Sequence, residues 1–368
     1  MCGAIRSLRS TCWLLMATFI ASAAFAQAPS ATLLALSKDD HTVAIVDPAT
    51  LQVLARIPSG PDPHEIIASD DGKFAYISNY GGPDSMLNTI SVVDLVARKA
   101  LPAIDLGALR STHGLAFAGG KLYFTAETNK VIGRYDPATQ RVDWILGTGQ
   151  DRTHMIDVSA SLNRIVTSNV NSATISIIEQ LSPPSGGFGP PPGGPAPPPG
   201  GPPPGSGPRQ SGPRLTWEVT NVPAGHGVEG FDISPDGKEI WAANARDATV
   251  TIVDVATKKP TQTLPIPVKG ANRLKFTPDG KHVLISGLGA RQADTSLVVI
   301  DAATRKEVKQ LNLGGGAAGI LIAPDGSRAY VAVSSADKIA VVDLKTLEVT
   351  GQIDAGKQPD GLAWAVRK

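Results

Sequence analysis

The stretch that decides the fold is Ser234-Pro235-Asp236-Gly237-Lys238, a turn between two β-like runs. Proline presets φ, aspartate bonds to its local backbone and glycine accepts positive φ, so the stretch predicts a tight hairpin turn. Similar turns occur at residues 69–73, 277–281 and 323–327, and weaker versions occur at 118–121 and 159–163. A turn that recurs in this way indicates a repeat fold.

A second marker is an apolar run that ends in an acid, found in seven units: Asp47, Asp94, Asp136, Glu179, Asp254, Asp301 and Asp343. In five units a threonine three residues later can close the following turn: Thr50, Thr139, Thr257, Thr304 and Thr346. Asp94 and Asp136 are 42 residues apart, and Asp254 and Asp301 are 47 apart, which is the length of a four-stranded blade. The sequence therefore predicts an all-β fold, a single seven-bladed β-propeller of four-stranded blades.

Two segments extend this prediction to a family. Tyr76-Ile77-Ser78-Asn79 and Tyr330-Val331-Ala332-Val333 each lie between the repeated turn and the strand that ends in an acid. The arrangement resembles the YVTN repeat, and the resemblance covers nearly all of residues 31–368. It implies a seven-bladed propeller related to lactonases, streptogramin lyases and a periplasmic protein that binds single-stranded DNA.

The two ends of the repeat region predict how the ring closes. The region begins with Ala31–Leu36, which is typical of the second strand of a blade, and ends with Gly361–Ala365, which is typical of the innermost strand. We therefore expect the C-terminal strand to complete the first blade, which leaves no long exposed sheet edge.

Residues 1–26 have the pattern of a signal peptide. Arg6 and Arg9 precede the apolar run at residues 13–20, and Ala24-Phe25-Ala26 is a small-residue cleavage site. We expect removal of this leader and a periplasmic or secreted mature chain, residues 27–368, without a membrane span. Of the 34 basic residues, 32 then remain against 33 acidic ones, which argues against nucleic acid as a partner.

Cysteine usage and short motifs exclude several cofactors. Cys2 and Cys12 both lie in the leader, so the mature chain has no disulfide, no thiolate metal ligand and no covalent haem motif. The glycines at residues 314–319 fit a nucleotide motif by spacing alone, because two predicted strands flank them and no helix follows. We therefore expect neither haem nor a nucleotide.

Residues 183–213 consist almost wholly of proline, glycine and serine. Such a composition cannot bury enough apolar area to offset the entropy of ordering, so we expect a disordered insert within blade 4. It follows a third-strand pattern that ends near Glu179 and precedes a fourth-strand pattern at residues 215–219. The insert is a tolerated loop, a polyproline ligand for a protein partner, or an arm that reaches peptidoglycan or another protein.

Aligning the seven innermost strands brings one position of each repeat to the channel mouth. In chain order the position holds His64, His113, His154, Glu229, Asn272, Ala318 and Asp360. Three imidazoles with one carboxylate suit a divalent transition metal, with Zn²⁺ or Cu²⁺ favoured, so His64, His113, His154 and Glu229 are the candidate ligands. A metal-free polar pocket and a purely structural rim stay open as alternatives, although Ala318 in this position argues against a purely architectural role.

Further polar residues are candidates for the rim of a ligand pocket. Asn272 and Asp360 occupy the aligned position. Asn79, Asn169 and Asn244 end the second strand of their units, Glu127 lies near the equivalent point of its unit, and these four side chains could orient the histidines. Asparagine at such a point also commonly bonds to turn backbone, so both readings stay open.

The sequence predicts an exported binding module for a transition metal, a small polar ligand or a protein partner. The family resemblance implies an alternative, a metal-dependent hydrolase of the lactonase type or a lyase, and a weaker one, binding of single-stranded DNA. No residue is identified as catalytic, and nothing in the sequence indicates an oligomeric state.

Overall fold

A computed structural model describes Met1 and residues 31–81, 85–181 and 216–367. Apart from Met1, the predicted signal peptide at residues 1–26 lies outside the described residues, as does the insert at residues 183–213. Within the described ranges, no helix has the length and apolar character that a membrane crossing requires.

The chain forms seven antiparallel sheets of four strands, and their innermost strands contact one another around a closed ring. The predicted seven-bladed propeller is thus confirmed. The strands of each blade are called a to d from the channel outward. Blade 1 consists of β28 (Pro359–Val366), β1 (Ala31–Ser37), β2 (Thr42–Val46) and β3 (Val53–Pro58), and blade 2 of β4 (Pro63–Ala68), β5 (Phe74–Asn79), β6 (Thr89–Asp94) and β7 (Lys99–Asp105). Blade 3 consists of β8 (Thr112–Ala118), β9 (Lys121–Ala126), β10 (Val131–Asp136) and β11 (Arg141–Gly147).

Blades 4 to 7 follow in the same order. Blade 4 consists of β12 (Thr153–Val158), β13 (Arg164–Asn169), β14 (Thr174–Leu181) and β15 (Thr216–Pro223), and blade 5 of β16 (Val228–Ile233), β17 (Glu239–Asn244), β18 (Thr249–Asp254) and β19 (Lys259–Pro265). Blade 6 consists of β20 (Ala271–Phe276), β21 (His282–Gly287), β22 (Leu297–Asp301) and β23 (Glu307–Leu311), and blade 7 of β24 (Ile320–Ile322), β25 (Arg328–Val333), β26 (Lys338–Asp343) and β27 (Glu348–Ile353). Two single-turn 3₁₀ helices occur among the described residues, Glu127–Asn129 and Ser334–Ala336.

The ring closes as the two ends of the repeat region predict. Strand β28 lies antiparallel to β1, with Thr32 opposite Ala365 and Leu34 opposite Ala363. Because the last strand of the chain completes the first blade, the ring has no gap at the junction of its two ends.

The repeated motifs act as the sequence predicts. In the turn of blade 5, the Asp236 carboxylate accepts hydrogen bonds from the Ser234 hydroxyl at 2.7 Å and the Lys238 amide at 3.1 Å, and Gly237 has a φ of 72°. At the end of strand c, the Thr257 hydroxyl donates to Asp254 at 2.6 Å. Local polar chemistry therefore sets the ends of the strands.

The core lies between the blades. Trp241 of blade 5 is fully buried, and its ring meets Phe276 of blade 6 with centroids 5.6 Å apart. Tyr330 of blade 7 meets Trp364 of blade 1 at the same centroid distance. Aromatic side chains thus join neighbouring sheets, which gives a rigid ring on which the channel side chains are held.

Candidate functional site

The aligned position is the second residue of strand a in six blades, and it lies within a β-bulge in all six. The pairing of strands a and b shifts between Pro63 and Ile66 in blade 2, and equivalent shifts occur in blades 1, 3, 4, 5 and 6. A bulge bends its strand and redirects the side chains within it. The shifts therefore include the positions of His64, His113 and His154 at the channel mouth.

Hydroxyl groups of strand b join neighbouring blades at this level. The Thr125 hydroxyl accepts a hydrogen bond from the Gly114 amide and donates to the His154 carbonyl of the next blade, both at 2.9 Å. The Ser168 hydroxyl makes the equivalent link from Met155 to Glu229. These hydroxyls join the blades, and the histidine side chains are available for other contacts.

Close packing between neighbouring innermost strands also excludes side chains. A Cβ on Gly114 would lie 2.4 Å from the His154 carbonyl oxygen, which is shorter than two such atoms can approach without a clash. Glycine at this point lets strands β8 and β12 approach each other. His113 directly precedes Gly114, and its ring therefore meets the ring of His154 at the mouth.

His154 is held between two carboxylates. Its Nδ1 lies 2.5 Å from Glu127 of the first 3₁₀ helix, and its Nε2 lies 2.8 Å from Glu229 of strand β16. Burial opposes protonation of this ring, but the charge of Glu229 and the hydrogen bonds to both carboxylates outweigh burial and raise the pKa of His154. In turn, burial of Glu229 is outweighed by His154 and Arg152, which lower the pKa of Glu229 to about 2. His154 is therefore an imidazolium bonded on both sides.

His113 lies directly against this cation but has the opposite character. The two ring centroids are 3.6 Å apart with the planes tilted by 32°, and only 2% of His113 is exposed. Its Nδ1 is buried and has no hydrogen-bond partner among the described residues. Burial, together with the positive charge of His154, holds the pKa of His113 well below its usual value. His113 is therefore a neutral imidazole.

Two further side chains complete the surroundings of Glu127. The Tyr80 hydroxyl donates to Glu127 Oε2 at 2.6 Å, and the Arg152 guanidinium lies 3.5 Å from Glu127 and 3.5 Å from Glu229. Burial and the Glu127 charge raise the pKa of Tyr80, so its hydroxyl remains a donor. The Tyr80 ring stands edge-on to His113, with centroids 5.2 Å apart.

His64 forms the other side of the cluster. Its ring centroid is 5.1 Å from that of His113, and its Nε2 lies 2.8 Å from Lys38 Nζ and 3.1 Å from Asp62. Asp360 lies 3.6 Å from Lys38 and 3.8 Å from His64 Nδ1. The hydrogen bond to His64 lowers the pKa of Asp62. We call the whole group the mouth cluster: Lys38, Asp62, His64, Tyr80, His113, Glu127, Arg152, His154, Glu229 and Asp360.

An ion pair crosses the channel behind the mouth cluster. Arg273 of blade 6 lies 2.6 Å from Glu65 of blade 2, and these blades are not neighbours in the ring. Glu65 directly follows His64, and Arg273 directly follows Asn272, so each is the residue after the aligned position of its blade. The pair therefore spans the central channel between two blades that are not adjacent.

The predicted metal ligands meet, but they bond to one another and to other residues. His64, His113 and His154 form a continuous arc, and Glu229 contacts His154. Among the residues that the structure describes, no group of three or more histidine, cysteine or acidic side chains is arranged to hold a metal ion. The metal site therefore stays a prediction.

The predicted rim residues divide into two sets. Asn79, Asn169 and Asn244 are buried within their blades, where their amides donate to threonine and serine hydroxyls of strand c. Asn272 is 7% exposed at the aligned position, and Asp360 belongs to the mouth cluster. The first set fastens strands b and c together, and of the rim residues Asp360 contacts a histidine.

Several members of the mouth cluster were not among the predicted site residues, whereas Glu127 was expected near the end of the second strand of its unit. Tyr80 directly follows strand β5 and Arg152 directly precedes β12. Their common signal is a polar residue within two positions of a strand end that faces the mouth. Three basic residues of blade 6, Arg273, Lys275 and Lys281, each pair with an acid.

Comparisons with known proteins agree with this architecture. The family model of YNCE-like β-propellers matches residues 249–368, about a third of the chain. No curated protein sequence matches the chain. Among solved structures, a functionally unknown protein from Desulfotomaculum acetoxidans is 11% identical with a TM-score of 0.67, and the alignment covers 92% of this chain and 99% of that one.

Two other solved structures carry functional names. A provisionally named 6-phosphogluconolactonase from Bacteroides uniformis is 16% identical, with a TM-score of 0.64 and coverage of 91% of this chain and 98% of that one. Dihydro-heme d1 dehydrogenase NirN is 14% identical, with a TM-score of 0.60 and coverage of 92% and 76%. At these identities the likeness shows the fold alone. The chain is thus a seven-bladed β-propeller with lactonase-like and haem-related structural neighbours, and its last third matches the YNCE-like β-propeller family.

Proposed function

We propose that the protein is a binding module whose mouth cluster takes a small polar ligand. The observation that carries this proposal is the buried Nδ1 of His113, which has no partner while its neighbours are paired. An unsatisfied buried polar atom costs about 1–3 kcal/mol. A ligand hydroxyl or amine that donates to this ring would recover much of that free energy.

The charges around His113 define the kind of ligand. Apart from His64 and His113, the cluster and the adjoining channel pair hold four cations and five carboxylates: Lys38, Arg152, His154 and Arg273, and Asp62, Glu65, Glu127, Glu229 and Asp360. Near-balanced charge favours a neutral or zwitterionic ligand over a strongly charged one. A small polyhydroxy or amino compound has this chemistry, and a nucleic acid strand does not.

A transition metal is the competing ligand. Metal-bound imidazole must be neutral and must direct a nitrogen lone pair at the ion. His154 instead bonds to carboxylates through both nitrogens, at 2.5 and 2.8 Å. Metal binding would require this arrangement to open, which makes a metal-free pocket the better fit to the geometry.

A second candidate function is acid–base catalysis, either hydrolysis or elimination. The specific observation is that adjacent histidines have pKa values shifted in opposite directions, which separates a proton acceptor from a proton donor. Neutral His113 would accept a proton and His154 would donate one. The neighbour named as a 6-phosphogluconolactonase makes a sugar lactone the first substrate to test.

The proposed setting is outside the cytoplasm. The support is the leader pattern of residues 1–26, with Arg6 and Arg9, an apolar run and an A-x-A site at residues 24–26. N-terminal sequencing of the chain recovered from the periplasm or medium tests this point, and a start at Gln27 is expected.

The test is a thermal-shift panel on the mature chain with glucose, glycerol, betaine, glucono-1,5-lactone, Zn²⁺ and Cu²⁺ as separate probes. An organic probe should raise the melting temperature of wild type, and His113→Phe should abolish that shift. His226→Gln is the matched control, because His226 is largely exposed outside the cluster and pairs with Asp247.

The outcomes separate the candidates. Stabilisation by a metal alone, lost in His113→Phe, would overturn the metal-free pocket and favour the metal site. Hydrolysis of glucono-1,5-lactone that disappears in His113→Phe and persists in His226→Gln would favour the enzyme. Equal shifts in all three proteins would contradict a ligand site at the mouth.

A further inference from the structure

An apolar groove opens between blades 2 and 3 on the face opposite the channel mouth. It has a volume of about 530 Å³ and lies beside the turns after strands a and c. Its wall is formed by Tyr76 and Phe117, whose rings stack 5.5 Å apart at 14°, with Phe74 and Leu101 beside them. The groove thus presents aromatic surface at the side of the ring.

The cleft between blades 5 and 6 occupies the equivalent place, and charged side chains cover its aromatic wall. There the Arg305 guanidinium lies 4.9 Å above the Trp241 ring and 2.6 Å from the Glu239 carboxylate. The ion pair lies over the aromatic side chain and makes the lining of this cleft more polar than that of the groove.

The repeat identifies the two residues that make the difference. Phe74 and Glu239 are each the first residue of strand b, two positions before Tyr76 and Trp241. Gln140 and Arg305 each stand four residues after the acid that ends strand c, with φ of 56° and 63°. Blade 2 and blade 3 therefore lack the ion pair and expose the aromatic wall.

We propose that this groove binds residues 183–213 of the same chain in a polyproline conformation. Grooves lined by aromatic side chains recognise proline-rich segments, because such segments lose little entropy when they bind. The segment contains Pro190-Pro191-Pro192, Pro197-Pro198-Pro199 and Pro202-Pro203-Pro204. Its composition matches the occupant that the groove would accept.

The ends of the segment are on the correct face. Leu181 pairs with Thr216 at the c–d connection of blade 4, which is the face on which the groove opens and one blade away from it. Residues 182–215 lie between these two points. At about 3 Å per residue, a polyproline chain of this length can extend about 50 Å and return.

Charge supports the same occupant. Asp70 lies at the edge of the groove, and Asp71 beside it is paired with Lys73 at 3.1 Å. Arg209 is the one charged residue of the segment 183–213, and as a cation near the end of the segment it would meet the Asp70 carboxylate at the rim.

The experiment measures tryptic cleavage of the Arg209–Gln210 bond in the mature chain. Phe74→Glu combined with Gln140→Arg installs the ion pair of the 5/6 cleft, and it should speed cleavage about fivefold or more, because the intramolecular docking is lost. Val308→Glu with Val349→Arg is the control, since both positions are exposed on outer strands of blades 6 and 7. It should cleave at the wild-type rate.

A second measurement does not depend on the fold of the variant. A synthetic peptide of residues 186–206, added in excess to wild type, should compete for the groove and speed cleavage at Arg209. Equal rates with and without peptide, or equal rates in wild type and the groove variant, would overturn the proposal. Protection that disappears on hundredfold dilution would assign the groove to a second copy and overturn the intramolecular occupant.

Discussion

Blades 3 and 4 each place a histidine at the channel mouth, and one ring is neutral while the other is charged. His113 and His154 occupy equivalent positions in neighbouring innermost strands, and both are 2% exposed. His154 has a carboxylate on each ring nitrogen, whereas His113 Nδ1 has none. The pKa of His154 is raised and that of His113 is lowered.

The comparison shows which part of the site each level of structure supplies. The repeat and its bulges place both rings at the mouth, and the Thr125 hydroxyl with the adjacent glycine sets their approach. The ionisation of His154 is then set by two carboxylates, Glu229 at the aligned position of the next blade and Glu127 directly after strand β9. Equivalent positions in a repeat protein therefore bring side chains to equivalent places in the fold. The ionisation of each side chain depends on the groups that surround it.

The largest effect should come from removing the cation of the pair. His154→Phe removes the cation that bonds to both Glu127 and Glu229 and leaves the two buried carboxylates with the more distant Arg152 as their shared cation. We expect the free energy of unfolding to fall by about 4 kcal/mol, because breaking one side of a buried ion pair leaves uncompensated charge. Urea unfolding at pH 6 measures this change, and a loss below about 1 kcal/mol would contradict the assignment of His154 as an imidazolium.

The next effect should come from one carboxylate. Glu229→Gln keeps the size of the side chain and removes the charge that raises the pKa of His154. We expect a loss of about 3 kcal/mol in urea unfolding, because the buried imidazolium then has Glu127 alone. Glu218→Gln is the matched control, since Glu218 is 53% exposed and should change stability by less than about 0.5 kcal/mol.

The pH dependence should separate the two histidines. His113 stays neutral in the folded chain, so the unfolded chain binds a proton below the ordinary value of 6.5 and stability falls there. His113→Phe removes this loss, and its stability relative to wild type should be about 1 kcal/mol more favourable at pH 5.5 than at pH 7.5.

His154 should show the reverse sign. Its folded pKa is raised, so its stabilisation is fully present below 6.5 and is lost as the pH rises through the folded value. The cost of His154→Phe should therefore shrink as the pH is raised. Urea unfolding of both variants between pH 5.5 and 8.5 measures how the stability difference from wild type changes with pH. If this difference changed in the same direction for both variants, the two histidines would not differ in charge as described.

The smallest effect should come from His113→Phe at pH 7.5. An apolar ring of similar size replaces a polar ring whose Nδ1 has no partner, so stability should stay within about 1 kcal/mol of wild type. Ligand binding should nevertheless be lost. A large loss of stability in the ligand-free chain would show that His113 is structural.

The repeat carried the prediction of the fold and of the arc formed by His64, His113, His154 and Glu229. Turn chemistry and the spacing of strand ends depend on local sequence, and one position per blade must meet at the channel. The contributions of Tyr80 and Arg152 were not predicted, because they lie in loops outside the repeat pattern. The bulges were also not predicted, since a register shift depends on the pairing of whole strands.

The most direct test of the account is nitrogen NMR of the two rings at pH 6.5, where an ordinary imidazole is half protonated. Spectra of wild type, His113→Phe and His154→Phe assign the signals of each histidine. The account predicts His154 with protons on both nitrogens and His113 neutral in the same sample. Two rings that are each half protonated would contradict it, because the neutral acceptor on which the ligand site depends would then not exist.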